Sequence, residues 1–146
     1  MSTQSTTQQA SETQFLNEID RVFRLEIETL KAVKECLGPS YAQAADILFN
    51  CKGKVVVTGM GKSGLIAQKI ASTMVSTGTV ATFLHPSDAL HGDAGIVGKD
   101  DVILAISKSG QTEELLQLLP FFNQIQVPVI TITANTESTL AKCSSL

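Results

Sequence analysis

Ser107, Ser109 and Thr112 place three hydroxyls around Gly110 in the stretch SKSGQTEE, directly after the apolar run VILAI. Hydroxyl donors and backbone N–H groups that converge where a helix begins form a cradle for a small anion such as phosphate. A plain N-cap needs only one Ser or Thr, so this loop carries more donors than capping requires. Glu113 and Glu114 follow in a first helical turn, where the helix dipole favours acids whatever the function.

A second loop, Gly59-Met-Gly-Lys-Ser-Gly64, joins the run KVVVT to a segment of helical spacing. Gly59, Gly61 and Gly64 satisfy G-x-G-x-x-G, but a dinucleotide site also needs an acid after the next strand, and TFLHPSDA offers none before Asp88. A nucleotide P-loop would need glycine at Val56. Two readings stay open: an anion site served by backbone N–H groups, Lys62 and Ser63, or a glycine turn made for close helix packing with Lys62 in solvent. The third constellation, LHPSDALHGDAG, holds the two histidines, His85 and His91, beside Asp88 and Asp93. Two His and a carboxylate could hold zinc, but their spacing gives no i, i+4 pair and no metal site is assigned. An acid/base imidazole suits the neutral titration of histidine; a hydrogen-bonded structural histidine is the alternative.

These residues need a frame to bring them together. Val55–Val57, Val80–Leu84, Val102–Ile106 and Val129–Thr133 are short runs rich in β-branched residues, as expected of strands buried on both faces. SGLIAQKIASTMVS and TEELLQLLPFFNQIQ have the length of crossover helices, and such alternation implies a parallel sheet with right-handed connections. All three loops would then reach the carboxyl edge of one sheet. Pro120 should kink or break the second crossover helix. Before the sheet, Phe15, Ile19, Val22, Phe23, Ile27, Leu30, Val33 and Leu37 trace one stripe of a long helix ended by Gly38-Pro39. YAQAADILFN adds a second helix. The Ser/Thr/Gln tract over residues 1–14 carries little apolar surface and reads as a disordered tail. The pattern stops at ESTLAKCSSL, where another strand would be expected.

With 146 residues, 43% of them hydrophobic, the chain can bury one substantial core. A net charge of −3 leaves no broad basic field for nucleic acid or an anionic membrane. Three cysteines without a C-x-x-C pair argue against a disulfide framework or cysteine zinc site and fit a reducing cytoplasm. There is no basic, apolar leader and no run near the ~20 apolar residues that span a bilayer.

Taken together, CKGKVVVTGMGKSGLIAQKIASTMVSTGT, FLHPSDALHGDAGIV and DVILAISKSGQTEELLQLLP resemble the sugar isomerase (SIS) domain, and more closely the arabinose 5-phosphate isomerases. The resemblance spans about residues 51–143, with the three motifs in order. It implies a three-layer α/β/α sandwich on a parallel sheet, flavodoxin-like with its last strand missing here, preceded by a long N-terminal helix. The SIS domain would occupy 15–146, incomplete at its C-terminus. It also implies interconversion of D-arabinose 5-phosphate and D-ribulose 5-phosphate, feeding octulosonate synthesis for lipopolysaccharide. Lys62, His91 and Glu114 match positions regarded as catalytic; Ser63, Ser107, Ser109, Gly110 and Thr112 match the phosphate site; Gly59, Gly61 and Gly64 shape the first loop. Two positions depart from the pattern: Gln111 stands where glutamate is more usual, and Lys108 where asparagine is common. Aldose–ketose chemistry through an enediolate requires no metal or redox cofactor. Relatives imply a homodimer or homotetramer, and they continue into further catalytic residues, so this chain is expected to hold only part of a site. The alternative is a non-catalytic sugar-phosphate sensor, which would need the hydroxyl cradle but not Lys62, His91 and Glu114 together.

Overall fold

The computed structural model describes the backbone from residue 3 and the side chains from residue 12, through Leu146. The chain divides into two compact units, one ending at Pro39 and the other spanning Ser40–Leu146.

In the first unit, helix α1 runs Thr3–Glu35. It begins well inside the stretch read as a tail; residues 1 and 2 lie outside the described residues. Once a helix is nucleated, each added residue fixes one residue for one hydrogen bond, so propagation through polar helix formers is cheap. Arg21 pairs with Glu18 and Arg24 with Asp20, each at 2.6 Å, along its surface. Its apolar stripe stays open to solvent: Phe15 is 65% exposed, Ile19 52%, Phe23 60% and Leu30 69%. α1 lies within the first compact unit, which ends at Pro39.

The second unit holds α2 (Pro39–Phe49) from Ser40 onward and builds a four-stranded sheet from β1 (Val55–Gly59), β2 (Ala81–Leu84), β3 (Val102–Ile106) and β4 (Val129–Ile132). All pairings are parallel and the order is β2-β1-β3-β4. β1 and β3 are buried at every position, which explains their unbroken apolar runs. The strand period of two splits the core. Val55, Val57, Leu104 and Ile106 pack with Ala67 and Ala71 of α3 (Gly61–Ser76), backed by Ile47 and Leu48 of α2. Val56, Ile103, Ala105 and Val129 pack with Leu115, Leu118, Leu119 and Phe122 of α5 (Glu113–Gln124) and with Ala89 of α4 (Pro86–Leu90).

Pro120 does not end α5; the helix continues to Gln124. Pro120 itself is exposed. Burial of Leu118, Leu119 and Phe122 at 5% exposure or less outweighs the ~3 kcal/mol cost of an internal proline. After β4 a four-residue helix, α6 (Thr139–Lys142), turns the chain back. Ser145 N–H then donates to the Val129 carbonyl at 2.8 Å, and Thr131 N–H to the Leu146 carbonyl at 2.9 Å. The last residues thus begin a parallel pairing on the outer edge of β4, where a further strand was expected.

One buried ion pair holds the amino edge of the sheet. Asp101 is 5% exposed; it accepts from Lys54 Nζ at 2.6 Å and from the N–H groups of Lys54 and Gly98 at 2.8 Å each. Burial alone would raise its pKa, but the Lys54 ammonium and the two backbone donors outweigh burial and hold it below the usual aspartate value. The contribution of this group is therefore complete above about pH 3.9, the unfolded-chain value, and lost as pH falls through the lower folded value. Asp101→Asn should cost about 2 kcal/mol at pH 7, less than for a fully buried pair because Lys54 keeps some solvent. It should also flatten the acid limb of stability against pH, as read by denaturant unfolding between pH 2 and 7.

Candidate functional site

In the order β2-β1-β3-β4 the chain leaves β1 through α3 towards β2, whereas β3 continues through α5 towards β4 on the other side. α3 and α5 cover opposite faces, so the gap between the carboxyl ends of β1 and β3 is a topological switch point, where open α/β sheets bind ligands. Gly59 pairs directly with Ile106. The glycine loop and the serine loop consequently rise side by side from adjacent strands.

The glycines divide their work. A Cβ on Gly59 would lie 2.9 Å from the Ile106 carbonyl, and one on Gly64 2.7 Å from the Gly59 carbonyl, so both allow β1, β3 and the first turn of α3 to approach closely. Gly61 has φ +54 with open space around it, so there it is conformation that favours glycine. Met60 is the N-cap of α3 and offers no side-chain cap bond. The helix's first backbone bond comes from Gly64 N–H to the Met60 carbonyl at 3.1 Å. The N–H groups of Gly61, Lys62 and Ser63 are left facing the edge, Lys62 exposed and Ser63 half-buried.

The serine loop is braced from within. Ser107 is only 2% exposed; its Oγ accepts from Gly110 N–H at 3.0 Å and shares a 2.8 Å bond with Thr112 Oγ1. Its hydroxyl is thus engaged inside the turn. If Ser107 donates to Thr112, every group in the buried pair is satisfied and the Thr112 proton is free for an anion. The reverse would strand the Ser107 proton in the interior, which costs about 1–3 kcal/mol. Ser109 is exposed and its Oγ accepts from Gln111 N–H at 3.2 Å. Gly110 has φ +62. Outward-facing donors are therefore the Ser109 and Thr112 hydroxyls and the N–H groups that open α5.

His91 is the C-cap of α4 and exposed; Glu114, in the first turn of α5, is half-buried. α4 packs on α5, so both residues belong to the same face of the sheet, while Lys62 starts the helix on the other. Among the described residues, none of the Lys62, His91 and Glu114 side chains is held by a hydrogen bond or ion pair, and the three are not tied to one another. His85, the N-cap of α4, instead stacks edge-on to Phe83 with ring centres 6.2 Å apart. Among the described residues no group of three His, Cys, Asp or Glu side chains could hold a metal ion.

Thr133 and Ser138, which the sequence motifs did not include, also touch this loop. Their signal was available: TITANTES is a second Ser/Thr-rich turn directly after a buried strand. Thr58 Oγ1 in β1 is fully buried and has no partner among the described residues; nothing in the structure explains it.

A doubly wound parallel α/β domain with two donor-rich loops at its switch point is a small-molecule-binding architecture. The chain belongs to the SIS domain family, whose model matches residues 47–146. It is 44% identical over 139 residues to the arabinose 5-phosphate isomerase KdsD of Francisella tularensis, covering 93% of this chain and 42% of that protein. It is 42% identical over 132 residues to the protein of the same name from Pseudomonas aeruginosa, covering 90% and 40%. The chain thus spans about two-fifths of the length of these relatives. Among solved structures, an E. coli CFT073 protein in complex with arabinose 5-phosphate superposes with a TM-score of 0.77 at 41% identity, covering 89% of this chain and 71% of that one.

A Cβ at Gly110 would lie within 2.4 Å of both Ser138 side-chain atoms, on a backbone with positive φ. Gly110→Ala should therefore cost about 2–4 kcal/mol, from strain and overpacking together. Gly61→Ala, with positive φ but open space, should cost only ~1 kcal/mol. Denaturant unfolding of the two variants checks the contrast.

Proposed function

We propose that this chain supplies the phosphate-holding wall and part of the catalytic set of an aldose–ketose isomerase, interconverting D-arabinose 5-phosphate and D-ribulose 5-phosphate. The observation that carries this reading is the pairing of Gly59 with Ile106: it sets the Lys62 loop beside the Ser109 loop, so a cation and a cluster of neutral donors share one crevice. The 41%-identical relative in complex with arabinose 5-phosphate supports the substrate class.

Isomerisation removes the C2 proton of the aldose, forms an enediolate, moves a proton between O1 and O2 and returns a proton to C1. The phosphate rests on Ser109, Thr112 and the backbone N–H groups near Gly110, with Ser63 as a further donor; Ser107 acts through Thr112. Remote binding energy then orients the reacting carbons. Lys62 faces the developing oxyanion, where a fixed positive charge lowers the barrier most. His91 and Glu114 serve ring opening or proton transfer. The relatives' greater length is consistent with further site residues supplied by the remainder of such a protein. In the same reading the product feeds octulosonate synthesis in the cytoplasm, and among the described residues no helix is long and apolar enough to cross a membrane.

Two outcomes are expected. A chimera carries these 146 residues in place of the matching part of the Francisella relative. In it, Lys62→Ala should lower kcat at least ~100-fold, the usual effect of losing an oxyanion-stabilising group; near-normal kcat would eliminate Lys62 from that role. The exposed apolar stripe of α1 supports self-association as a homodimer or homotetramer. Sedimentation at micromolar concentration should show a species larger than one chain, and a strict monomer would overturn it.

A further inference from the structure

Several bonds that fix the serine loop come from residues 133–140, the turn between β4 and α6 and the start of α6. The Lys108 carbonyl accepts from Ala134 N–H at 3.1 Å and from Thr133 Oγ1 at 3.3 Å. The Gly110 carbonyl accepts from Leu140 N–H at 3.1 Å. This turn is itself tied: Asn135 N–H donates to Thr133 Oγ1 at 3.1 Å, Glu137 N–H to Asn135 Oδ1 at 3.0 Å, and Ser138 N–H to the Asn135 carbonyl at 3.1 Å. Ser138 is fully buried, caps α6 by accepting from Ala141 N–H at 3.3 Å, and closes off the space beside Gly110.

A trans peptide is planar, with its C=O and N–H on opposite sides. With the Lys108 carbonyl turned towards Thr133 and Ala134, the Ser109 N–H of the same peptide must point the other way, out of the clamp. With the Gly110 carbonyl turned towards Leu140, the Gln111 N–H likewise points away, where it meets Ser109 Oγ. The Ser109 N–H has no protein acceptor among the described residues. Holding two carbonyls from behind therefore aims two amides forward.

We infer that the β4–α6 turn is the aiming device of the serine loop and that Thr133 is a positioning residue for the bound phosphate, acting through the Lys108–Ser109 peptide, directly and by bracing the turn at Asn135. This rests on the phosphate reading of that loop. Thr133 follows Ile132, the last residue of β4, so its hydroxyl can be removed without touching the sheet ladder.

The test is a titration of the 15N-labelled chain with inorganic phosphate, following the Ser109 amide resonance, for the native sequence, Thr133→Val and Thr133→Ser. In the native chain the Ser109 amide should move downfield and saturate. Thr133→Val should weaken the apparent Kd roughly 3- to 10-fold, the worth of about one hydrogen bond, with Tm nearly unchanged. Thr133→Ser should restore native binding, because it returns the hydroxyl without the methyl. Native Kd and Ser109 shift in Thr133→Val would overturn the inference alone, as would an equal loss in Thr133→Ser. A native chain whose Ser109 amide ignores phosphate would overturn the phosphate reading and this inference with it.

Discussion

The in-register parallel pairing of β1 with β3 is the constraint on which the rest depends. It buries both strands on two faces, so apart from Thr58 they carry no polar side chains along their length and the chemistry is pushed to their ends. It also brings the Gly59 backbone against the Ile106 carbonyl, a contact that a Cβ would prevent. Because the connections from these two strands diverge, α3 and α5 cannot fill the space above them. The switch point is a consequence of topology, and the loops need only supply donors.

The strands were legible because β1 and β3 are fully buried: a short, unbroken β-branched run suits a strand covered on both faces and little else. The edges were harder. β2 loses Val80, which is 67% exposed, and β4 ends at Ile132, half in solvent, since an edge strand needs only one apolar face. That Pro120 leaves α5 unbroken was hidden for a different reason. The proline penalty is local and readable, whereas the burial of Leu118, Leu119 and Phe122 that offsets it depends on where α5 lands on the sheet. The start of α1 escaped composition for a related reason, because propagation of a helix depends on its neighbour more than on its own polarity.

In the serine loop, sequence counts donors but says nothing of their direction. Ser107 and Thr112 are equivalent on paper. In the fold one is buried and braces the turn, while the other is half-buried and bonded to it. Nor does sequence show that Lys108 and Gly110 offer their carbonyls to a turn more than twenty residues later, since that contact exists only because β3 and β4 are adjacent. A cradle of this kind needs two layers of groups: those that face the ligand, and those behind that fix the peptide planes. Composition near the motif reveals only the first.

The two loops also differ in charge, and the difference bears on what they can hold. α5 begins with Glu113 and Glu114, acids placed where a helix N-terminus stabilises them. α3 has no acid in its first turn and instead carries Lys62, a cation at the positive end of its dipole, an arrangement that costs about 0.3–1 kcal/mol at an exposed position. Solubility does not require a lysine there; an acid would serve as well and would stabilise the helix. An anion in the crevice reverses the sign of that conflict, because Lys62, the free N–H groups of Gly61, Lys62 and Ser63, and the helix dipole then act on it together. Under the proposed isomerase reading, charge that develops on an enediolate would gain most from such an arrangement, because the unfavourable juxtaposition is present before any reaction begins.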